Sequence, residues 1–208
     1  MALINTTTTG VLGTTVFGDG SGDLTIQQNG VLVNKITSNG LTYRGTGSVL
    51  QVVNTYYTTP VSQSVAGGTT LTPITGLEAS ITPSSTSSKI LIFVRWFGEH
   101  GTDGSNWEFM FGITRDGTAI GLPTSTGSHN RGISMGALTY YASNGDSTPE
   151  HAFYNYLDSP STTSAVTYRA YVTGGGAETL YTNRVVGGTD SLSFERGTSS
   201  IILMEFAG

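Results

Sequence analysis

Lys89–Phe97, KILIFVRWF, is the longest apolar run in the chain. Read with period two, it places Ile90, Ile92, Val94 and Trp96 on one side and Leu91, Phe93, Arg95 and Phe97 on the other. β-Branched and aromatic residues in this alternation predict a strand rather than a helix. One face is wholly apolar and the other nearly so, which suits a strand at the centre of a packed sheet, or between a sheet and a second subunit. Thr82-Pro83-Ser84-Ser85-Thr86-Ser87-Ser88 enters the run and Gly98-Glu99-His100-Gly101-Thr102-Asp103-Gly104 leaves it. Both flanks have loop chemistry.

The same alternation predicts strands at Val49–Tyr57, Thr69–Leu71, Ile74–Ile81, Asn106–Arg115, Thr118–Gly121, Gly132–Ala142, Glu150–Leu157, Ala165–Thr173, Leu180–Val186 and Ser199–Phe206. Pro73 and Pro83 act as punctuation, and Asp116-Gly117 predicts a tight hairpin turn. In the last strand Ile202, Met204 and Phe206 oppose Ile201, Leu203 and Glu205. No segment carries a 3.6-residue repeat. The expected fold is therefore all-β, an antiparallel sandwich of jelly-roll type.

The first 47 residues differ from the rest. Residues 1–23 are mostly Thr and Gly and hold little that could form a core, so they read as a tail or as an arm ordered against a partner. Asn29-Gly30 and Asn39-Gly40 then punctuate Leu24–Ile26, Val31–Ile36 and Leu41–Tyr43. Asn-Gly is a strong hairpin signal because both residues accept positive φ. Strands this short bury little within one chain. The segment reads either as a weak β-repeat completed by neighbouring chains or as a small hairpin motif packed on the main domain. Gly45-Thr46-Gly47-Ser48 marks the boundary, giving an attachment arm over residues 1–47 and a sandwich over 48–208.

Composition narrows the function. Only 11% of the 208 residues are charged, against about 25% in ordinary soluble domains. Gly, Thr, Ser and Asn take the place of charge, as in secreted and particle-associated β proteins. The nine Lys and Arg are scattered singly and the net charge is −5, so no nucleic-acid footprint is expected. With no cysteine, stability must come from packing or assembly. Met1–Asn5 shows neither a basic nor an apolar leader region, and no run is long enough for a transmembrane helix. Release by lysis or particle assembly is the expected route.

Candidate chemistry is sparse. His100, His129 and His151 lie in or beside expected loops, without His-x-His or His-Glu-x-x-His spacing, and read as solvated side chains; no metal or other cofactor is expected. Glu99, Asp103, Glu108, Asp146 and Glu150 are the carboxylates from which a glycan-cleaving pair would have to come, but Asp beside Gly more often shapes a turn. Gly174-Gly175-Gly176 lacks a phosphate-loop lysine. Arg95, in the central strand, is expected to pair with Glu108 or Glu195 if buried. Function then falls to the polar loops 98–106, 122–131, 143–150 and 174–179. His100, Asp103, Asn106, Trp107, His129, Asn130 and Asp146 are the candidate contact residues, with Trp107 placed to stack on a sugar ring. The aromatics Phe93, Phe97, Tyr140, Tyr154, Tyr156, Tyr168 and Tyr171 lie on both faces of their strands. They are candidates for an interface between copies, most simply in a cyclic homotrimer.

Particular stretches also resemble a known group. Gly47-Ser48-Val49-Leu50-Gln51-Val52-Val53 and Thr75–Ile92 are similar to a domain of tail-fibre and minor structural proteins of tailed bacteriophages, especially those of marine bacteria and cyanobacteria. So are Tyr156-Leu157-Asp158-Ser159-Pro160, leading to Tyr168-Arg169, and the closing Ser200-Ile201-Ile202-Leu203-Met204-Glu205. The likeness spans roughly residues 47–208 and is most specific at Thr82–Ile92. It implies a trimeric β-sandwich knob on a virion, mounted through residues 1–45 on other virion proteins and facing host surface polysaccharide, with no enzymatic activity. No long shaft or collagen-like repeat is present, which keeps a head-decorating protein open as the alternative and a small depolymerase as a weaker one.

Overall fold

The computed structural model describes residues 15–18, 24–28, 31–37, 40–42, 46–101, 109–124, 127–136, 147–188 and 190–208. Among these there is no helix. β1 (Thr15–Gly18), β2 (Leu24–Gln28), β3 (Val31–Thr37) and β4 (Gly40–Thr42) form one antiparallel sheet in chain order. The strand segments flanking Asn29-Gly30 and Asn39-Gly40 thus pair as the sequence predicts, and β1 adds a strand to them that the Thr/Gly composition does not announce.

The remaining strands make two facing sheets. They are β5 (Val49–Tyr57), β6 (Val61–Val65), β7 (Gly68–Ile81), β8 (Lys89–His100), β9 (Met110–Arg115), β10 (Thr118–Ile120), β11 (Ser134–Met135), β12 (Glu150–Asp158), β13 (Val166–Gly174), β14 (Glu178–Thr182) and β15 (Ser199–Phe206). One sheet runs β5-β15-β8-β12, with β14 and β6 added beyond the end of β15; the other runs β7-β13-β9-β10, with β11 also on β9. The chain crosses between the sheets at β6–β7, β7–β8, β8–β9, β11–β12, β12–β13 and β13–β14, whereas β10–β11 and β14–β15 stay within one sheet. The two orders are those of a jelly roll.

β8 is the axis of this arrangement. One edge pairs with β12 along residues 90–98; the other carries β15 along 89–95 and then β14 along 98–100. Its even-numbered side chains, Ile90, Ile92, Val94 and Trp96, are completely buried. They form one cluster with Phe111 and Ile113 of β9, Tyr168, Ala170 and Val172 of β13, and Ile201 and Leu203 of β15. The Trp96 ring lies 5.0 Å from that of Phe111, and its indole N–H donates to Thr182 Oγ1 at 3.0 Å. The large aromatic is thus buried with its polar atom satisfied.

One feature of the second sheet departs from expectation and another meets it. β7 runs unbroken through Pro73, where the sequence suggests a break. It is an edge strand pairing only with β13, so a missing N–H is tolerated. The Asp116-Gly117 turn is present, with φ of 49° and 85° at its two residues, the paired positive angles of a tight hairpin.

Candidate functional site

Three places hold the candidate residues. The first is an open cleft of about 710 Å³ where the starts of β7 and β9 meet the loops before β11 and after β13. Gly68, Thr69, Met110, Ser128, His129, Asn130 and Gly175 line it. His129 and Asn130 are therefore brought together with the Gly-rich 174–176 loop, and His129 is exposed. Its polar groups include the Thr69 and Ser128 hydroxyls, the Asn130 amide and the His129 imidazole, a set able to exchange hydrogen bonds with a polar ligand, beside the apolar Met110. Asp103, Asn106, Trp107 and Asp146, the other contact candidates in these loops, lie outside the described residues, as do Glu108 and Tyr140.

The second place corrects the reading of His100. The apolar alternation of β8 continues through Gly98 to His100, which is 5% exposed and is not a solvated loop histidine. Its ring stacks on Phe109 with centroids 3.8 Å apart, and Nδ1 meets the Glu150 carboxylate. Among the described residues His100 Nε2 and Thr173 Oγ1 have no hydrogen-bond partner. Both Glu178 carboxylate oxygens are buried and equally unpartnered among the described residues. Burial pushes the Glu178 carboxyl up to about 8, and the charge of Glu150 acts in the same direction. Glu99, also fully buried, accepts hydrogen bonds from Thr148 N–H at 3.1 Å, from the Thr148 hydroxyl, and from Val186 N–H at 2.6 Å. Glu99 and Glu150, two of the five carboxylates proposed for acid/base work, thus hold segments of chain together. Among the described residues no three His, Asp or Glu side chains gather closely enough for a metal ion.

The third place is the outer face of the β5-β15-β8-β12 sheet. Strand register sets its side chains in rows: Val52, Met204, Leu91 and Leu157; then Asn54, Ile202, Phe93 and Asn155; then Tyr56, Ser200, Arg95 and Phe153. Phe97 and His151 form the next pair. Phe153 is 62% exposed, Tyr56 58%, Val52 56% and Leu157 53%. Phe93 and Phe153 stack at 6.4 Å with their planes 21° apart. Beside them Phe97, His151, Phe153, Thr198 and Arg95 wall a pocket of about 430 Å³. Arg95 is exposed here, so the burial under which a Glu108 or Glu195 partner is expected does not arise. Its guanidinium donates to Tyr56 Oη at 3.2 Å and Thr198 Oγ1 at 2.9 Å, and lies over the Tyr56 ring. No Asp or Glu occupies any of these rows.

The aromatic candidates therefore divide. Phe93 and Phe97 are half-buried on this outer face. Tyr154 and Tyr168 are buried in the core cluster and Tyr171 is buried on the other face of β13, so an interface role for them is corrected. The Tyr154 hydroxyl donates to Gly112 O at 3.1 Å, and that of Tyr168 to Asp158 Oδ2 at 2.7 Å. Tyr171 is enclosed because its ring lies against Gly112, where a Cβ would fall 2.4 Å from the ring. Burial raises all three phenol pKa values. Tyr156 is half-buried against the core cluster. The inward–outward alternation was legible in each strand; which of two apolar faces turned inward was not. No protein-family model matches this chain, and no curated protein matches it either.

Proposed function

We propose that this chain is a structural component of a tailed-phage virion. In this reading it works as a homotrimeric fibre or spike, mounted through residues 1–45, with the sandwich as an outward knob that meets host surface polysaccharide. The observation that carries the reading is the exposed, carboxylate-free apolar face of the β5-β15-β8-β12 sheet in a chain with 11% charged residues. Contiguous exposed apolar area of this kind marks an assembly surface. The resemblance of Gly47–Val53, Thr75–Ile92 and Ser200–Glu205 to tail-fibre proteins supplies the particle.

The cleft at His129 is the host-facing element in this account. A single shallow polar cleft binds weakly, but three held in one trimer act together, and linked sites gain roughly 10²–10⁴ in avidity. Adhesion then needs no chemical step. Glu99 and Glu150 are committed to internal contacts, which favours a binding role over a depolymerase.

Immunogold labelling of purified particles with antibody against the sandwich tests the assignment. Label at the tail or on protruding fibres is the expected result. Label spread over the head would replace the fibre by a decorating protein, and unlabelled particles would overturn the virion assignment.

A further inference from the structure

We propose that the outer face of the β5-β15-β8-β12 sheet is the surface on which a second copy of this chain packs, centred on the stacked Phe93–Phe153 pair. The inference deepens the multi-copy reading above and rests on it. Side-chain chemistry, charge and area all point to a like partner.

The centre of the face is aromatic and aliphatic, the composition of the buried core of a homo-oligomer interface. Phe153 is most of the way to solvent at 62% exposure, yet it is held in place by its stack on Phe93. A pre-ordered aromatic loses little entropy on being covered and is the typical anchor of an interface. The pocket of about 430 Å³ beside it, between Phe97, His151 and Thr198, offers a recess for a side chain from the facing surface.

Charge selects the occupant. The chain carries 14 Asp and Glu, and none stands in the rows of this face. A basic partner would find no carboxylate to pair with. An acidic one of net charge −5, such as a second copy, approaches without like charges being opposed. The one cation in the rows, Arg95, is already held by Tyr56 and Thr198, with its guanidinium carbon 5.7 Å from the Tyr56 ring centroid. Four strands about 4.8 Å apart and about 30 Å long cover a footprint of roughly 600 Å² before side-chain relief is counted, close to the ~800 Å² of accessible surface each partner contributes to a stable interface.

The chain has no cysteine, so single thiols report the surface directly. In the full-length protein, Asn155→Cys on this face and Met135→Cys on the opposite sheet are labelled with a maleimide. Sedimentation equilibrium is run in parallel on wild type, Phe153→Asp and Met135→Asp. The expected result is at least tenfold slower labelling at position 155 than at 135, with Phe153→Asp falling to single-copy mass while Met135→Asp keeps the wild-type mass. A multimeric wild type whose position 155 labels as fast as position 135, or whose Phe153→Asp form keeps its mass, overturns this interface and leaves the multi-copy reading standing. A single-copy wild type overturns both. Because the thiol at position 155 replaces an exposed polar residue, it decides the matter even if Phe153→Asp fails to fold.

Discussion

The hydroxyl of Ser88 donates a 2.7 Å hydrogen bond to Oε1 of Glu205, 117 residues along the chain, and both residues are buried. The same carboxylate accepts from Ser84 N–H and Ser84 Oγ at 2.7 Å, and from Gln51 Nε2 at 2.5 Å. One acid on the last strand thus fastens the serine-rich entry to β8. Burial alone would raise the Glu205 carboxyl, but the hydrogen bonds from Ser88, Gln51 and Ser84 outweigh it and hold the pKa below the ordinary value. A carboxyl lowered in the folded state stabilises the fold above its ordinary pKa, and that contribution disappears as pH falls through the lowered one. Ser88→Ala is expected to cost about 1.5–3 kcal/mol at neutral pH, the range for a hydrogen bond to a charged group. It should also move the acid-unfolding midpoint upward. Urea titration at pH 7 together with an acid titration followed by circular dichroism measures both.

Glu178 has the opposite sign. Its carboxyl, raised to about 8 in the folded state, keeps its proton there far longer than in the unfolded chain. Stability from this group is fully present below the ordinary carboxyl range and is lost as pH rises toward 8. Glu178→Gln keeps a neutral polar group in the same place. The variant should lose less stability than wild type between pH 5 and pH 9, and thermal melts across that range give the comparison.

Gly112 faces the Tyr171 ring at a distance that leaves no room for a methyl group. Gly112→Ala must displace that ring from its buried seat, at about 1–3 kcal/mol for an overpacked core site. Differential scanning calorimetry should show a lower melting temperature. An unchanged one would mean that the ring has another place to go.

His129 stands exposed in the 710 Å³ cleft, away from the core. His129→Ala should leave the melting temperature unchanged while weakening adhesion to host cells. If each cleft loses about threefold in affinity and three act together, adsorption falls by about 30-fold. Binding of fluorescent protein to host cells measures it, with free polysaccharide as competitor.

Much of the fold was legible because the strands advertise it. Val49–Tyr57 and Ser199–Phe206 follow from alternation alone, and both strands have those bounds. Asp116-Gly117 marked its hairpin through the positive φ it needs. Val61–Val65 escaped because two of its five residues are serine and one is glutamine, and its pairing with β14 supplies what its composition lacks. His100 was misread because Gly98, Glu99 and Gly101 look like a loop; only the facing Phe109 and Glu150 make that end of β8 interior. The candidate site was legible in part. His129 and Asn130 do share a cleft with the glycine loop. Tyr154 and Tyr168 looked like interface residues because a local pattern does not show which side the second sheet covers; Tyr171, on the other face of β13, is enclosed by Gly112 and the chain at Arg131.

A chain that covers its apolar sheet face with copies of itself is multimeric in dilute buffer, and the mass of the full-length protein there decides between one copy and several. Sedimentation equilibrium at micromolar concentration is expected to return three times the 21.8 kDa chain mass. A folded species of single-chain mass, unchanged as concentration rises, would contradict the account.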